Sequence, residues 1–373
     1  MFPECKLKED ALHSYWPAVT PAMVRASLDR DRLAFSDFLN LISPAAAGEI
    51  DGLRERAAEA KRTHFGKVIR LYAPIYISNY CVNGCVYCAF QNSHKYHRRR
   101  LTLDEIDAET DIIKGYGMDS LLIVCGEDPQ MTVDFLVEVV KRAKRKFAYI
   151  GIEIHPQERE GYRRLFEAGV QGLTIYQETF QEDLYKKLHP CGPKSDYHRR
   201  LRAPMDGAAA GFYNVGLGFL LGLYDWRIEA VSLAANGLLL RKKYWQTKVQ
   251  FSFPRITAIP GGYNPPSPVN DADLEQLMLA FRIYFPESEI FISTREKFAF
   301  RMHMAPLCVS HISAGSQVNP GGYGESLKKV KEVDQGQFTV NDQTSVPAVV
   351  AGIRQLGLDP VFKDWDGCIS TAV

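Results

Sequence analysis

Three thiols fall within eight positions of the stretch NYCVNGCVYCAFQNSH (residues 79–94): Cys81, Cys85 and Cys88. Thiolates are soft ligands, suited to zinc or to iron–sulfur clusters. Structural zinc asks for four ligands, usually as two separated pairs. Cys85 and Cys88 make one such pair, but no second C-x2-C or H-x3-H pair follows. His94 and His97 are spaced like a pair, yet using them leaves Cys81 without a role. An iron–sulfur cubane suits the three thiols better, and three cysteines on four irons leave one iron open. Openness belongs to catalytic metal sites rather than structural ones.

Around this motif the chain has 373 residues, enough for one large α/β domain or two ordinary ones, with a core that needs no disulfides. A formal net charge of +1 leaves no electrostatic footprint for nucleic acid or an anionic membrane. The basic run at 97–100 is expected to be a solvated loop. No apolar stretch of roughly 18 residues suggests a membrane span, and the acidic N-terminus does not read as a secretory signal. Eight cysteines, three clustered and the rest scattered, do not form a disulfide framework. A cytoplasmic protein with reduced thiols is expected.

The elements that must position the thiols follow from periodicity. Residues 1–70 read as helical. Beyond them, short apolar runs alternate with amphipathic stretches: VIRLYAPIYIS, SLLIVCGE, AYIGIEIH, GLTIYQE, YNVGLGFLLG, VQFSFPRI, EIFISTRE and LCVSHISAGS. Thr102 and Asp271 are the expected N-caps of two intervening helices, and Gly117 and Gly169 the expected stops. Eight strands with helices between most of them make the pattern of a (β/α)8 barrel, although an open doubly wound sheet shares it. The expected organisation is an N-terminal helical extension (1–70), the barrel (71–323) and a C-terminal tail that closes the barrel (324–373). In a barrel the chemistry sits at the C-terminal strand ends. Those ends carry the cysteine loop and then CGED, EIHP, YQET, GLGFLLG, FPR, STRE and SAGS.

C-x3-C-x2-C after the first strand, with Tyr87 before the last cysteine, resembles the radical S-adenosylmethionine (SAM) superfamily. The resemblance implies a 4Fe-4S cluster on Cys81, Cys85 and Cys88, whose open iron chelates SAM and whose electron cleaves it to methionine and a 5′-deoxyadenosyl radical. CGEDP resembles the family's glycine-rich motif, which makes Gly126 and Glu127 ligands of the methionine ammonium, although Cys125 replaces a frequent glycine. GLGFLLGL resembles the adenine-binding segment, with Gly218 and Gly222 in it.

From about Leu71 to Asp366, YQETF, HPCGPKSDYHRRL, GLGFLLGLYDWR, STRE, SAGSQVNPGGYG and DPVFKDWD are similar to the aromatic-amino-acid lyases of that superfamily, nearest the thiamine-pathway 2-iminoacetate synthase type. That type cuts the Cα–Cβ bond of L-tyrosine to 4-cresol and 2-iminoacetate. The resemblance implies that Ser293 and Arg295 bind the tyrosine carboxylate, for which an arginine fork is the matching shape. Arg255 is a second candidate, with packing across the barrel mouth as its alternative. Glu153 and Glu178 would accept hydrogen bonds from ribose hydroxyls or the substrate ammonium. Tyr176 and His189 are candidate partners of the phenol. A flavodoxin or ferredoxin as reductant and thiazole synthase as recipient of the imine are implied partners. A tryptophan lyase of the same family is the neighbouring reading. A hydrogenase-maturation tyrosine lyase would carry three more cysteines for a second cluster, where this chain has only Cys308 and Cys368. A non-catalytic cluster scaffold is the reading from another class.

Overall fold

The computed structural model describes residues 9–95, 97–257, 259, 262–328 and 336–363. Eight parallel strands follow the chain: β1 (Val68–Ser78), β2 (Ser120–Cys125), β3 (Tyr149–Glu153), β4 (Gly172–Glu178), β5 (Asn214–Phe219), β6 (Lys248–Ser252), β7 (Glu289–Ile292) and β8 (His311–Ser313). Each pairs with its neighbour in order, and β1 pairs with both β8 and β2. The sheet is therefore closed, a (β/α)8 barrel rather than the open alternative. Alternation explains it locally: Ile69, Leu71, Ala73, Ile75 and Ile77 of β1 turn outward into the helical layer and are buried there, while Tyr72 and Tyr76 turn inward.

The helices between strands begin and end where side chains satisfy their free backbone groups. Thr102 caps Leu103–Gly115 in a reciprocal capping box with Glu105. Gly169, at φ 116°, closes Arg159–Ala168. The expected cap at Asp271 is corrected to Asn270, whose Oδ1 accepts from the Asp273 amide at 2.9 Å. Asp271 instead sits in the first turn, where the dipole still favours its charge. The N-terminal helices pack against Asp271–Tyr284 through Phe38 on Phe281 (centroids 5.2 Å apart) and the Arg54–Glu275 ion pair. Among the described residues no helix is long and apolar enough to cross a membrane.

Two features shape the space available for chemistry. The barrel interior is not filled by branched side chains, the usual barrel solution. Gly151, Gly172 and Gly216 face inward on β3–β5, and a small, mainly apolar cavity of about 40 Å³ remains beside Tyr176. The C-terminal segment, for its part, does more than cover the mouth. Residues 336–342 cross it, the helix Val346–Gln355 follows, and β9 (Asp359–Val361) pairs with Val68–Arg70 at the opposite end of β1. The stretch from Asp359, read from sequence as plain tail, thus starts with a strand; Asp364 onward, including Trp365, Asp366 and Cys368, lies outside the described residues.

Candidate active site

The loop that carries the thiols is tied down on both flanks. Ser78, the last residue of β1, donates to Asp128 just beyond β2 at 2.6 Å, and Arg100 grips the same carboxylate at 2.6 and 2.7 Å. Burial opposes ionisation of Asp128, but the bonds from Arg100 and Ser78 hold it below the usual carboxylate range. Arg98 donates to the carbonyls of Asn79, Phe90 and Gln91 at 2.5, 2.9 and 2.6 Å. The basic run at 97–100, expected as a solvated loop, is corrected by these contacts: its arginines clasp the cysteine loop, because a guanidinium can satisfy several loop carbonyls at once.

Gly126 allows the approach of the two loops. A Cβ there would stand 2.2 Å from the Tyr80 carbonyl oxygen and 3.1 Å from Cys81 Cβ. Next to it, the Glu127 carboxylate accepts from Asn83 at 2.7 Å, so it lies against the cysteine loop. Asn83 also reaches Cys81 Sγ at 3.5 Å and accepts from the Lys194 amide at 2.9 Å. Gln337 stands 3.9 Å from Cys88 Sγ.

The thiols fit the cluster that their spacing suggests. Burial pushes Cys85 up to about 12 and Cys88 up as well, so these thiols ionise only against strong positive charge such as iron. Among the described residues no three His, Cys, Asp or Glu side chains converge as a single metal ion requires. A multi-iron cluster spreads its thiolates more widely than one ion does, and three soft donors are the set it takes.

Cys88 borders a cavity in the C-terminal mouth of the barrel, together with Glu153, Tyr176, Glu178, Lys194 and Arg295. Its two carboxylates are driven apart. Glu178 receives Lys194 Nζ at 2.7 Å and Arg200 at 3.1 Å, which lower its pKa against the burial that would raise it. Burial and the charge of Glu178 push Glu153 up to about 7, against Arg295, Arg200 and Lys194. No hydrogen bond reaches Glu153 among the described residues. Glu178 is also, among them, the sole non-glycine residue with a positive φ (73°), at a break in the β4–β5 register. Such a conformation persists only where neighbours impose it, and the two cations do so here.

Arg295 is half-buried at the same mouth. Its guanidinium lies 3.3 Å from the Phe338 ring centroid and donates to the Arg255 carbonyl at 3.3 Å. Among the described residues no carboxylate pairs with it. Its sequence neighbour Glu296 is taken by Arg255, which also holds Asp271 at 2.7 Å. These pairings support the packing alternative for Arg255. Ser293 Oγ accepts from the Arg295 amide at 3.3 Å and shapes the turn beneath it.

Other expected residues divide between cavity and scaffold. Tyr176 lines the cavity, and burial and Glu153 push its phenol far up, with Ser252 as hydrogen-bond partner. A Cβ on Gly218 would meet Tyr176 Cδ1 at 2.6 Å and Ser252 O at 2.5 Å, so this glycine makes room for the tyrosine ring. Gly222, at φ 113°, turns the chain after Leu220, which itself lines the cavity. His189 is packed under Tyr87 (2.6 Å to its hydroxyl), and burial drives its pKa down to about 3; it is a neutral structural residue. Sequence reasoning gave no role to Asn83, Lys194, Arg200 or Gln337. Lys194 and Arg200 lie in the quoted HPCGPKSDYHRRL stretch, where two cations near a barrel mouth were the available signal.

Comparison with known proteins adds the following. The radical SAM superfamily model matches residues 75–234, and the biotin and thiamin synthesis associated domain matches 252–359. A 2-iminoacetate synthase from Salmonella typhimurium is 36% identical over 357 residues, covering 95% of this chain and 93% of its own. The Escherichia coli 2-iminoacetate synthase is 35% identical with the same coverage. A crystal structure of HydG, a maturase of the [FeFe]-hydrogenase, superposes with a TM-score of 0.90 at 27% identity, over 97% of this chain and 82% of that one.

Proposed function

The chain belongs to the 2-iminoacetate synthase family of radical SAM enzymes, and from that premise we propose how its barrel cleaves the Cα–Cβ bond of L-tyrosine to 2-iminoacetate and 4-cresol. The observation that carries the substrate assignment is Arg295: a half-buried guanidinium lining the same cavity as Cys88 and Glu153, with no ion pair to a carboxylate among the described residues. An amino acid brings the missing carboxylate.

Cys81, Cys85 and Cys88 hold a 4Fe-4S cluster, which with bound SAM supplies the electron and the radical that begin the reaction. The chain's own residues do the rest. Arg295 fixes the substrate carboxylate, with its plane set by Phe338. Glu153 faces the substrate ammonium; a positive partner favours its ionised form and pulls its pKa down from about 7. Glu178 stays ionised between Lys194 and Arg200, and the three together leave a net positive charge at the cavity wall. Gly126 and Glu127 serve the methionine end of SAM, and Gly218 and Gly222 shape the wall against its adenosine. Tyr176 partners the phenol. The segment 336–342, through Gln337 and Phe338, walls the cavity and limits the hydrogen donors within reach of the radical to the bound substrate.

A low-potential carrier of the flavodoxin or ferredoxin type supplies the electron, thiazole synthase receives the imine, and the reducing cytoplasm keeps the thiols available. The hydrogenase-maturase reading fits less well: this chain spans 93% of the synthase but 82% of the maturase. Among the described residues Cys308 is the sole cysteine beyond β7, and it is buried. The test is anaerobic reconstitution with iron and sulfide, followed by dithionite, SAM and either tyrosine or tryptophan. 4-Cresol and 5′-deoxyadenosine from tyrosine support the assignment; SAM cleavage with tryptophan alone, or a cluster that never cleaves SAM, sinks it. Cys85→Ala should lose the cluster's absorbance, and zinc retained with an intact fold would restore the zinc reading.

A further inference from the structure

Gln337 sits where the crossing segment passes the cysteine loop. Its backbone is fixed by bonds from its amide to Val318 O (3.1 Å) and from the Ala89 amide to its carbonyl (3.4 Å). The Tyr76 hydroxyl donates to its Oε1 at 2.9 Å. With the phenol as donor the amide oxygen is its acceptor, which matches the placement of Nε2 on the other side. The NH2 group must then face the other way, toward Cys88 Sγ at 3.9 Å. A primary amide whose donor end is aimed at a cluster thiolate is a means of stabilising negative charge on the sulfur.

The same short segment reaches the substrate clamp. Phe338, the next residue, carries the Arg295 guanidinium, and Asn341 donates to the Arg295 carbonyl at 2.7 Å. The amides of Asn341 and Asp342 both bond to Thr294 O at 3.1 Å, and Asp342 pairs with the buried Arg301. The ring stacked on Arg295 and the donor on Cys88 are thus adjacent residues of one segment.

We propose that Gln337 is a positioning residue that donates an N–H bond to Cys88 Sγ, raises the reduction potential of the cluster, and links that potential to occupation of the Arg295 clamp. The inference rests on the cluster reading of the three cysteines. Adding one electron makes the cluster and its sulfurs more negative, so a donor favours the reduced form. The donor bonds to both oxidation states, so only its excess strength in the reduced state moves the equilibrium, and each tenfold change in that equilibrium reads as about 59 mV for a one-electron couple. Linkage is reciprocal: if tyrosine shifts the potential, reduction shifts tyrosine affinity by the same factor.

The experiment is an anaerobic redox titration of the reconstituted full chain followed by electron paramagnetic resonance, with and without tyrosine. Gln337→Leu should titrate at a lower potential than wild type, with full iron content and a smaller response to tyrosine. Gln337→Glu, which puts an acceptor beside the sulfur, should go lower still. Tyr76→Phe, which frees the amide to flip while keeping the donor, should fall between wild type and Gln337→Leu. Equal potentials in wild type and Gln337→Leu at equal iron content overturn the inference and leave the lyase assignment standing. Failure of wild type to assemble a four-iron cluster overturns both. If Gln337→Leu cannot hold a cluster, Tyr76→Phe decides: an unchanged potential there counts against the bond.

Discussion

Glu153 and Arg295 line one cavity with opposite charge and, among the described residues, neither makes an ion pair, and each leads to a measurable expectation. Glu153 has a folded pKa of about 7, above the ordinary glutamate value. It is therefore protonated in the native state at mildly acidic pH, where the unfolded chain has already released the proton. The sign follows: this proton stabilises the fold at low pH, and its contribution is lost as pH rises toward 7. Binding runs the other way, since only the carboxylate attracts an ammonium. Tyrosine affinity should strengthen as pH rises through about 7, and Glu153→Gln should flatten that profile in a calorimetric titration; superimposable profiles would remove Glu153 from the ammonium site. Arg295→Lys keeps the charge but loses the fork. It should weaken tyrosine binding by about tenfold while leaving tyramine, which lacks the carboxylate, unchanged; equal losses for both ligands would point to a collapsed cavity instead. Which of two arginines forms the clamp was open in the sequence, because STRE and FPRI each offer one. The pairing of Arg255 with Glu296 and Asp271 supports the packing alternative for it, and that pairing depends on side-chain directions from β6, β7 and the helix between them.

At the scale of elements, the loops after β1 and β2 act as one unit, since Gly126 touches the Tyr80 backbone while Asp128 joins Ser78 to Arg100. Gly126→Ala should push the cysteine loop away from β2, because the obstacle is backbone rather than a flexible side chain end. The expected result is reconstitution to less than half the wild-type iron content in a protein that keeps its helical circular dichroism; a full complement of iron would mean that the loop adapts. Strand and helix positions in this region were legible, as β1 is the apolar run VIRLYAPIYIS itself and Thr102 caps where a Thr before acidic residues should. The clasp made by Arg98 was not. A run of arginines in sequence looks the same whether its charges meet water or loop carbonyls, and only the return of the chain across Asn79 and Phe90 distinguishes the two.

For the whole molecule, the decisive connection joins distant parts of the chain, from Arg301 after β7 to Asp342 in the crossing segment, both fully buried. Asp342→Asn leaves a buried guanidinium without its counter-charge, a loss of about 3 kcal/mol that should appear as a lower urea midpoint at unchanged slope. Because the segment also carries Gln337 and Phe338, the same variant should raise the tyrosine KM; loss of stability with unaltered KM would separate the strap from the site. The C-terminal segment shows how far sequence could go. Its helix was visible as SVPAVVAGIRQLG, but β9 was not, since three residues give no periodicity and their strand character comes from the exposed edge of β1. The sequence by itself determined the alternation of strands and helices and the three-thiol motif, because hydrophobic period and ligand spacing are local properties of the chain, whereas closure of the sheet rests on the pairing of β1 with β8. The tertiary structure alone decided that Glu178 is ion-paired while Glu153 is not, that Arg295 rather than Arg255 is left without an ion pair among the described residues, and that Gln337 meets Cys88. Those facts depend on distance and burial between residues far apart in the chain, which the barrel brings together only on closing.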